Sequence, residues 1–430
     1  MLRSTTNILI GLEVHLSLNT PYKLYSPSLV GHTHPIDLGC PGTLPSPINI
    51  HALQLCTQLA LLLKCDMASH FKAARKVYRY IDLPKGYQIT QQDPLGINGR
   101  LRISDTEVAI IKQVHMEEDA ARITKGKVLY DRAGNALAEV VTQPCFTTID
   151  QAVAFLRKLR SMCIRYSIAK CRMELGEMRV DVNLSCDGGA RSEIKNLNSF
   201  NNIRSAINYE LEHHPEPRDS QVTLSFNDHN QTTSVARFKE QSDDYLYIDD
   251  PDIVETLLPI DLCTSNNACR AKRIEQLYKH SLSNERIDKL ASVSRIDCMV
   301  DTCDLSIDNT MFFNMYFQVI HNTDISCDEI VIIYKYFIEK KISKEHVKTL
   351  LTDHSDVVSV EAIESLLHNA HAKIATIVRR VINQYKDHHI RSLSDCSKSN
   401  NFLIGRVMYE CRQQNVTVDP QKVIALIHST

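Results

Sequence analysis

ILIGLEVHLSLNT, residues 8–20, decides how the chain is read. Ile8, Ile10, Leu12, Val14, Leu16 and Leu18 alternate with Leu9, Gly11, Glu13, His15, Ser17 and Asn19. A period of two predicts a strand whose two sets lie on opposite faces. One face is apolar, and the other carries a carboxylate beside an imidazole. Other stretches repeat the device. In MRVDVNLS, residues 178–185, Met178, Val180, Val182 and Leu184 alternate with Arg179, Asp181, Asn183 and Ser185. In ALAEVVTQP, Glu139 sits among small and branched apolar residues. In VHMEEDAAR, Glu117, Glu118 and Asp119 are consecutive, so a strand points Glu118 opposite to its neighbours. In ARSEIKNLNS, Glu193 and Lys195 share a side. These segments predict a mixed or antiparallel sheet in an α+β body.

Acids on a sheet face have two readings. The face is simply wet, as one side of many antiparallel sheets is. Or the carboxylates converge on a hard cation, which takes oxygen ligands and often keeps substrate phosphates. Taken alone, each acid is more often of the first kind, and a lone His is more often a satisfied polar residue than a ligand. No GxxxxGK[ST] loop and no GxGxxG follows a strand, so neither a P-loop nor a Rossmann site is supported. Any ATP phosphates must then be held by metal ions and basic side chains. Lys76 and Lys85 in ARKVYRYIDLPKGYQIT are candidates, with ordinary surface lysine as the alternative, and LPKGY has the makings of a turn. The cysteines form no CxxC pair; Cys298 and Cys303 have four residues between them and no matching second pair. There is no GxSxG context for a serine nucleophile.

The chain has 430 residues, 43% apolar and 23% charged, enough for two or three domains. No run of about 18 apolar residues predicts a membrane span. MLRSTTN runs straight into the first strand, leaving no room for a signal peptide. The 14 Cys, scattered singly, point to a reduced compartment and to small buried apolar roles. Helical spacing covers Ile149–Tyr166 and Asn201–His214. After about Asn284 the pattern is mostly helical, and only Gly405 and Pro420 punctuate it. The expected layout is a body over 1–282, a helical domain over 283–355 and a helical tail over 356–430. From Ala370 to Thr430 nine Lys/Arg face four Asp/Glu, a local net charge of +5 on a chain of net charge -2. That is either a surface for a phosphate backbone or a solvated helix face.

Read in order, IGLEVHLSLNT, CPGTLP, RKVYRYIDLPKGYQIT, VHMEEDAAR, DRAGNALAEVVTQP, MRVDVNLS and SEIKNLNSFNNIRSAINYE closely resemble the B subunit of glutamyl/aspartyl-tRNA amidotransferase. The resemblance is dense from Ile10 to about Glu212, weaker through SDDYLYIDDPDIVETLLP, faint in KKISKEHVKTLL and clearer again in NFLIGRVMYECR. It implies a catalytic body similar to glutamine synthetase, a cradle followed by a helical domain and a tail. It implies an ATP- and Mg²⁺-dependent ligase that phosphorylates the side-chain carboxylate of Glu on tRNA(Gln), and in many members of Asp on tRNA(Asn). Ammonia, released from glutamine by a separate amidase (A) subunit, then displaces phosphate; a small C subunit completes a heterotrimer. By motif, His15, Glu118 and Glu139 fall to one Mg²⁺, and Glu13 and Glu193 to a second ion or ATP. Asp181 and Asn183 support that shell. Lys76 counts among the catalytic residues, and Lys85, Glu117, Lys195, Asn196 and Ser199 among those meeting ATP or substrate. Arg379, Arg380, Lys386, Arg406 and Arg412 would meet tRNA. An organellar matrix or a bacterial cytoplasm is implied, without a membrane.

The chain departs from the family's pattern in places. TQPC stands where SEPD is usual, placing Gln143 and Cys145 at usually acidic positions. RVDVN replaces RCDAN, Arg122 replaces a Lys, and Leu246 replaces an Arg. HPID stands for CPVC, with His34 and Asp37 in place of a zinc-like pair, so no structural zinc is expected. Two rivals follow: a degenerate scaffold that binds tRNA and amidase, and, from the residues alone, a metal-dependent phosphohydrolase.

Overall fold

A computed structural model describes residues 7–429 apart from 79, 125, 215, 239–244, 280–281, 303–308, 354–357, 387–396 and 414–419. The chain forms two compact units, Met1–Glu275 with Ile287–Ser294, and Gln276–Arg286 with Arg295–Thr430.

The first unit is built on nine strands: β1 (Ile8–Ser17), β2 (Asp66–Met67), β3 (Gly96–Arg102), β4 (Val108–Glu118), β5 (Ala136–Thr142), β6 (Met178–Cys186), β7 (Ser192–Leu197), β8 (Val222–Asn227) and β9 (Thr232–Phe238). They form one sheet in the order β9-β8-β7-β6-β1-β5-β4-β3-β2. Each of these pairings is antiparallel except β7 with β8. The opening stretch is therefore the middle strand, and its alternation is real. Ile10, Leu12, Val14 and Leu16 are fully buried, while Glu13, His15 and Ser17 are half-buried on the other side. Helix α1 (Ile50–Leu62) packs on β3 and β4, α2 (Ile149–Arg165) on β1, and α3 (Phe200–His213) on β7 and β9. α2 starts where its sequence says it should: Thr148 and Gln151 form a reciprocal capping box ahead of Val153, Leu156 and Leu159, all buried.

Two local features flank the sheet. Ala74–Val77, Tyr87–Thr90 and Leu246–Asp249 form a three-stranded sheet, joined in part by the LPKGY turn, with Gly86 at φ 75°. Gly39, at φ 62°, lies so close to Lys85 that a Cβ would come within 2.9 Å of its Cγ. The HPID stretch carries a buried ion pair. Lys23 Nζ donates to Asp37 Oδ2 at 3.0 Å and to the Ala133 carbonyl at 2.6 Å, and the His34 N–H donates to Asp37 at 2.9 Å. Lys23 and Asp37 are 1% and 2% exposed.

The second unit is helical among the described residues. Its last three helices, Val360–Gln384, Ser397–Gln413 and Pro420–Ser429, share a core of Ile374, Ile377, Val378, Leu403, Val407 and Ile427. Of the twelve described cysteines, all free, six are buried in the small apolar role expected of them, while four are half-buried and Cys269 and Cys327 are exposed. No described helix is long and apolar enough to cross a membrane.

Candidate functional site

Strand pairing builds the site. In register, Glu13 lies between Val141 of β5 and Asp181 of β6, and His15 between Glu139 and Arg179. Glu139 in turn faces His115 of β4, and Leu137 faces Glu117. Directly paired side chains on one face approach within about 5 Å. The polar sets of four strands therefore converge.

His15 is the hub. Its Nε2 lies 3.7 Å from carboxylate oxygens of Glu13, Glu117 and Glu139. Two groups share it, Glu13–His15–Asp181 and His15–Glu117–Glu139, each with donor atoms within 4.8 Å of one another. Electrostatics mark the crowding. Burial, with Glu139 adding, pushes Glu13 up to about 7. Burial works against a proton on His115, yet Glu139, 3.0 Å away, and Glu117 carry it to about 10. Burial would also raise Glu139, but His115 and His15 bring it down to about 2. Beside this cluster, Lys195 bridges Asp181 at 3.1 Å and Glu193 at 2.8 Å. Asn183 pairs with Glu193 across β6 and β7, and its buried Oδ1 has no hydrogen-bond partner. Convergent carboxylate oxygens and an unsatisfied amide oxygen are the donors a hard divalent cation takes, with the His15 nitrogen a softer donor beside them. The residues present fit such an ion.

Not every expected residue joins. Glu118 does not. Alternation along β4 turns it to the opposite side from His115 and Glu117, where it is 4% exposed and accepts from Lys85 at 2.7 Å and from the Ile89 N–H at 3.3 Å. Glu117, expected among the substrate contacts, stands in the cluster instead. Lys85 is thereby occupied by Glu118. Lys76 lies over the Tyr245 ring, its Nζ 4.5 Å from the ring centre; burial lowers its proton affinity, but Tyr247 and the charge of Glu117 raise it. Ser199 accepts from the Asn202 N–H at 3.0 Å and serves as the N-cap of α3. The side chains of Asn196 and Arg412 lie outside the described residues. In the tail, Arg379, Arg380 and Lys386 are exposed, while Arg406 lies against Tyr385, Tyr409 and Glu410.

Two sets of residues escaped the sequence reading. His115 alternates with Glu117, the same signal as His15 with Glu13. Asp119, buried, takes Arg179 at 2.9 Å and Arg132 at 3.4 Å. Arg132 also lines a cavity of about 520 Å³ at the ends of β1 and β5, with Ser17, Ala136, Arg122, Lys170 and Arg172. Only the Arg179 end of that network had a periodic signal.

Fold and site together define a sheet-borne histidine–carboxylate centre with cations at its edge, the equipment for bringing anionic groups together. Comparison with known proteins gives the line of descent: residues 8–263 match the GatB/GatE catalytic domain, and the chain belongs to that family. It is 32% identical over 466 residues to the B subunit of the aspartyl/glutamyl-tRNA(Asn/Gln) amidotransferase of Malacoplasma penetrans, an alignment spanning 96% of this chain and 95% of that one. It is 39% identical over 272 residues to the protein of the same name from Mycoplasmopsis pulmonis, and 38% over 278 to that of Bacillus licheniformis, each spanning 57% of both chains.

Proposed function

We propose that this chain is the B subunit of a tRNA-dependent amidotransferase and that its sheet face is where the acyl group is activated. ATP phosphorylates the side-chain carboxylate of Glu on tRNA(Gln), with Asp on tRNA(Asn) as a second substrate of the same chemistry. Ammonia from a partner amidase subunit then displaces phosphate, and a small C subunit completes the complex. The observation that carries this reading is the pair of donor groups sharing His15. Two anions, a carboxylate and a γ-phosphoryl, must meet, and a site of carboxylates repels both unless cations intervene.

His15, Glu13 and Asp181 would hold one divalent ion, and His15, Glu117 and Glu139 the neighbouring position. Mg²⁺ held there would neutralise the phosphates and align the transfer. The chain's own residues do the rest. His115, 3.0 Å away, fixes the Glu139 carboxylate. Lys195 orients Asp181 and Glu193, leaving Asn183 Oδ1 free to accept. Lys76 offers a cation to the incoming anion. The antiparallel sheet with acids on its strands supports a glutamine-synthetase-like cradle, which keeps water from the acyl phosphate. Arg379, Arg380 and Lys386 in the tail suit a tRNA backbone read by shape and phosphate.

The test is ADP formation by the purified complex with and without Glu-tRNA(Gln), comparing wild type with Glu139→Gln. A folded variant with turnover reduced about 10²–10³-fold is expected, the loss typical of one electrostatic stabiliser. A wild type that binds tRNA and amidase but makes no tRNA-dependent ADP is a scaffold. Phosphate release without any tRNA points to a phosphohydrolase.

A further inference from the structure

The second unit holds a cavity of about 550 Å³ that the acyl-activating chemistry does not use. That volume falls within the range of about 300–1,000 Å³ usual for small-molecule sites. Its floor is apolar: Met315 and Ile342 are buried, with Phe337 and Leu367 beside them. Its rim is basic, with Lys340, Lys344 and His371 exposed and Lys341 paired with Glu339 at 2.7 Å, and no carboxylate is among its described lining residues. One backbone irregularity lies in its wall. Tyr316–Ile320 is a π-helical turn, and from it Gln318 accepts from Lys344 Nζ at 2.6 Å. Single π turns gather at functional sites. Lys340, at φ 57°, ends helix Cys327–Ile338: its N–H donates to the Phe337 carbonyl at 3.0 Å and the Lys341 N–H to the Tyr336 carbonyl at 2.9 Å.

An apolar floor with planar groups under a cationic rim matches one chemistry well: an aromatic base attached to a phosphate. We propose that this cavity takes an unstacked nucleotide of the RNA partner, the base against Phe337 and the floor, its phosphate on Lys340 and Lys344. Specific RNA recognition commonly works this way, on bases splayed from loops rather than on paired stems. The proposal rests on the tRNA-dependent function proposed above and adds to it a site in the helical unit.

The test measures binding of unmodified tRNA(Gln) transcript to the full-length chain in its complex. Ala370→Trp fills the cavity from its wall and leaves the lysines, while Lys340→Ala with Lys344→Ala leaves the cavity and removes the rim. Since one stacked base contributes about 1–3 kcal/mol, the filled variant should bind at least about fivefold more weakly, with its salt dependence unchanged. The lysine variant should lower the slope of log K against log [salt] by about 1–2. A folded Ala370→Trp protein that binds like wild type overturns the proposal. Should that variant fail to fold, p-benzoylphenylalanine at Met311, 71% exposed and on the cavity wall, decides by photocrosslinking. A crosslink to one nucleotide supports the site, and none overturns it. Loss of the site with tRNA-dependent ADP formation intact leaves the acyl-activating function standing. A wild type that binds no tRNA at all removes both.

Discussion

Glu117 and Glu118 show what one residue of register decides. The resemblance to known sequences assigns Glu118 to the metal, but Met116 belongs to the core, and alternation then turns Glu117 to the His15 side and Glu118 away from it. Glu118 is held by Lys85 in a pocket closed by Gly39, with the side chains of both partners at most 10% exposed. A buried pair contributes little against an apolar replacement, but losing one partner strands a charge. Lys85→Met is therefore expected to cost about 3–5 kcal/mol in urea unfolding, and the double variant Lys85→Met/Glu118→Leu to recover most of it. A Lys85 that only met phosphate would leave stability unchanged in the single variant. The polar face was plain in the sequence patterns, and His115 was as legible there as His15. The Asp119–Arg179–Arg132 network was not, because it joins side chains 60 and 13 positions apart across a loop.

At the scale of elements, alternation and capping did most of the work. β1, β5, β6, α2 and α3 lie where local patterns put them, since each has a continuous apolar stripe. The three-stranded sheet and β8 had no such signal, and β7 showed only the shared side of Glu193 and Lys195: strands of four to six residues, paired with partners far along the chain, are fixed by tertiary contact rather than propensity. Helix Cys327–Ile338 in the second unit gives a local test. Ser326 caps it, and Glu329 accepts from the Ser326 N–H at 2.7 Å and the Val358 N–H at 2.6 Å. Burial would raise the Glu329 proton affinity, but these bonds lower it. Its contribution is thus fully present above the unfolded carboxylate value of 4.5 and is lost as pH falls below it. Ser326→Ala should cost about 1 kcal/mol by chemical denaturation at neutral pH. Glu329→Gln should be less stable than wild type at pH 7, and the two should converge on acidification. Curves that stay parallel down to about pH 3, below the carboxylate range, would mean the charge is not what the cap uses.

At the scale of the molecule, bulk numbers said least. A net charge of -2 hides an acidic sheet face in one unit and exposed arginines in the other. The chain also contains a fastening that no composition could suggest. Lys23, Asp37 and Ala133 tie together segments 14 and 110 positions apart, in a region that is otherwise turns and bends. The consequence shows on the clock of amide exchange with heavy water. Irregular surface segments ordinarily trade their protons through small local openings, but this one can release the His34 and Leu24 amides only by breaking a buried charge contact or a bond to the Gly134 carbonyl. Peptides covering residues 21–40 should keep deuterium out nearly as long as the peptide holding residues 8–17. Asp37→Asn should release the first and spare the second. Immediate labelling of residues 21–40 in the wild type would mean that the loop opens apart from the sheet. Slow labelling would make loop and central strand a single cooperative unit.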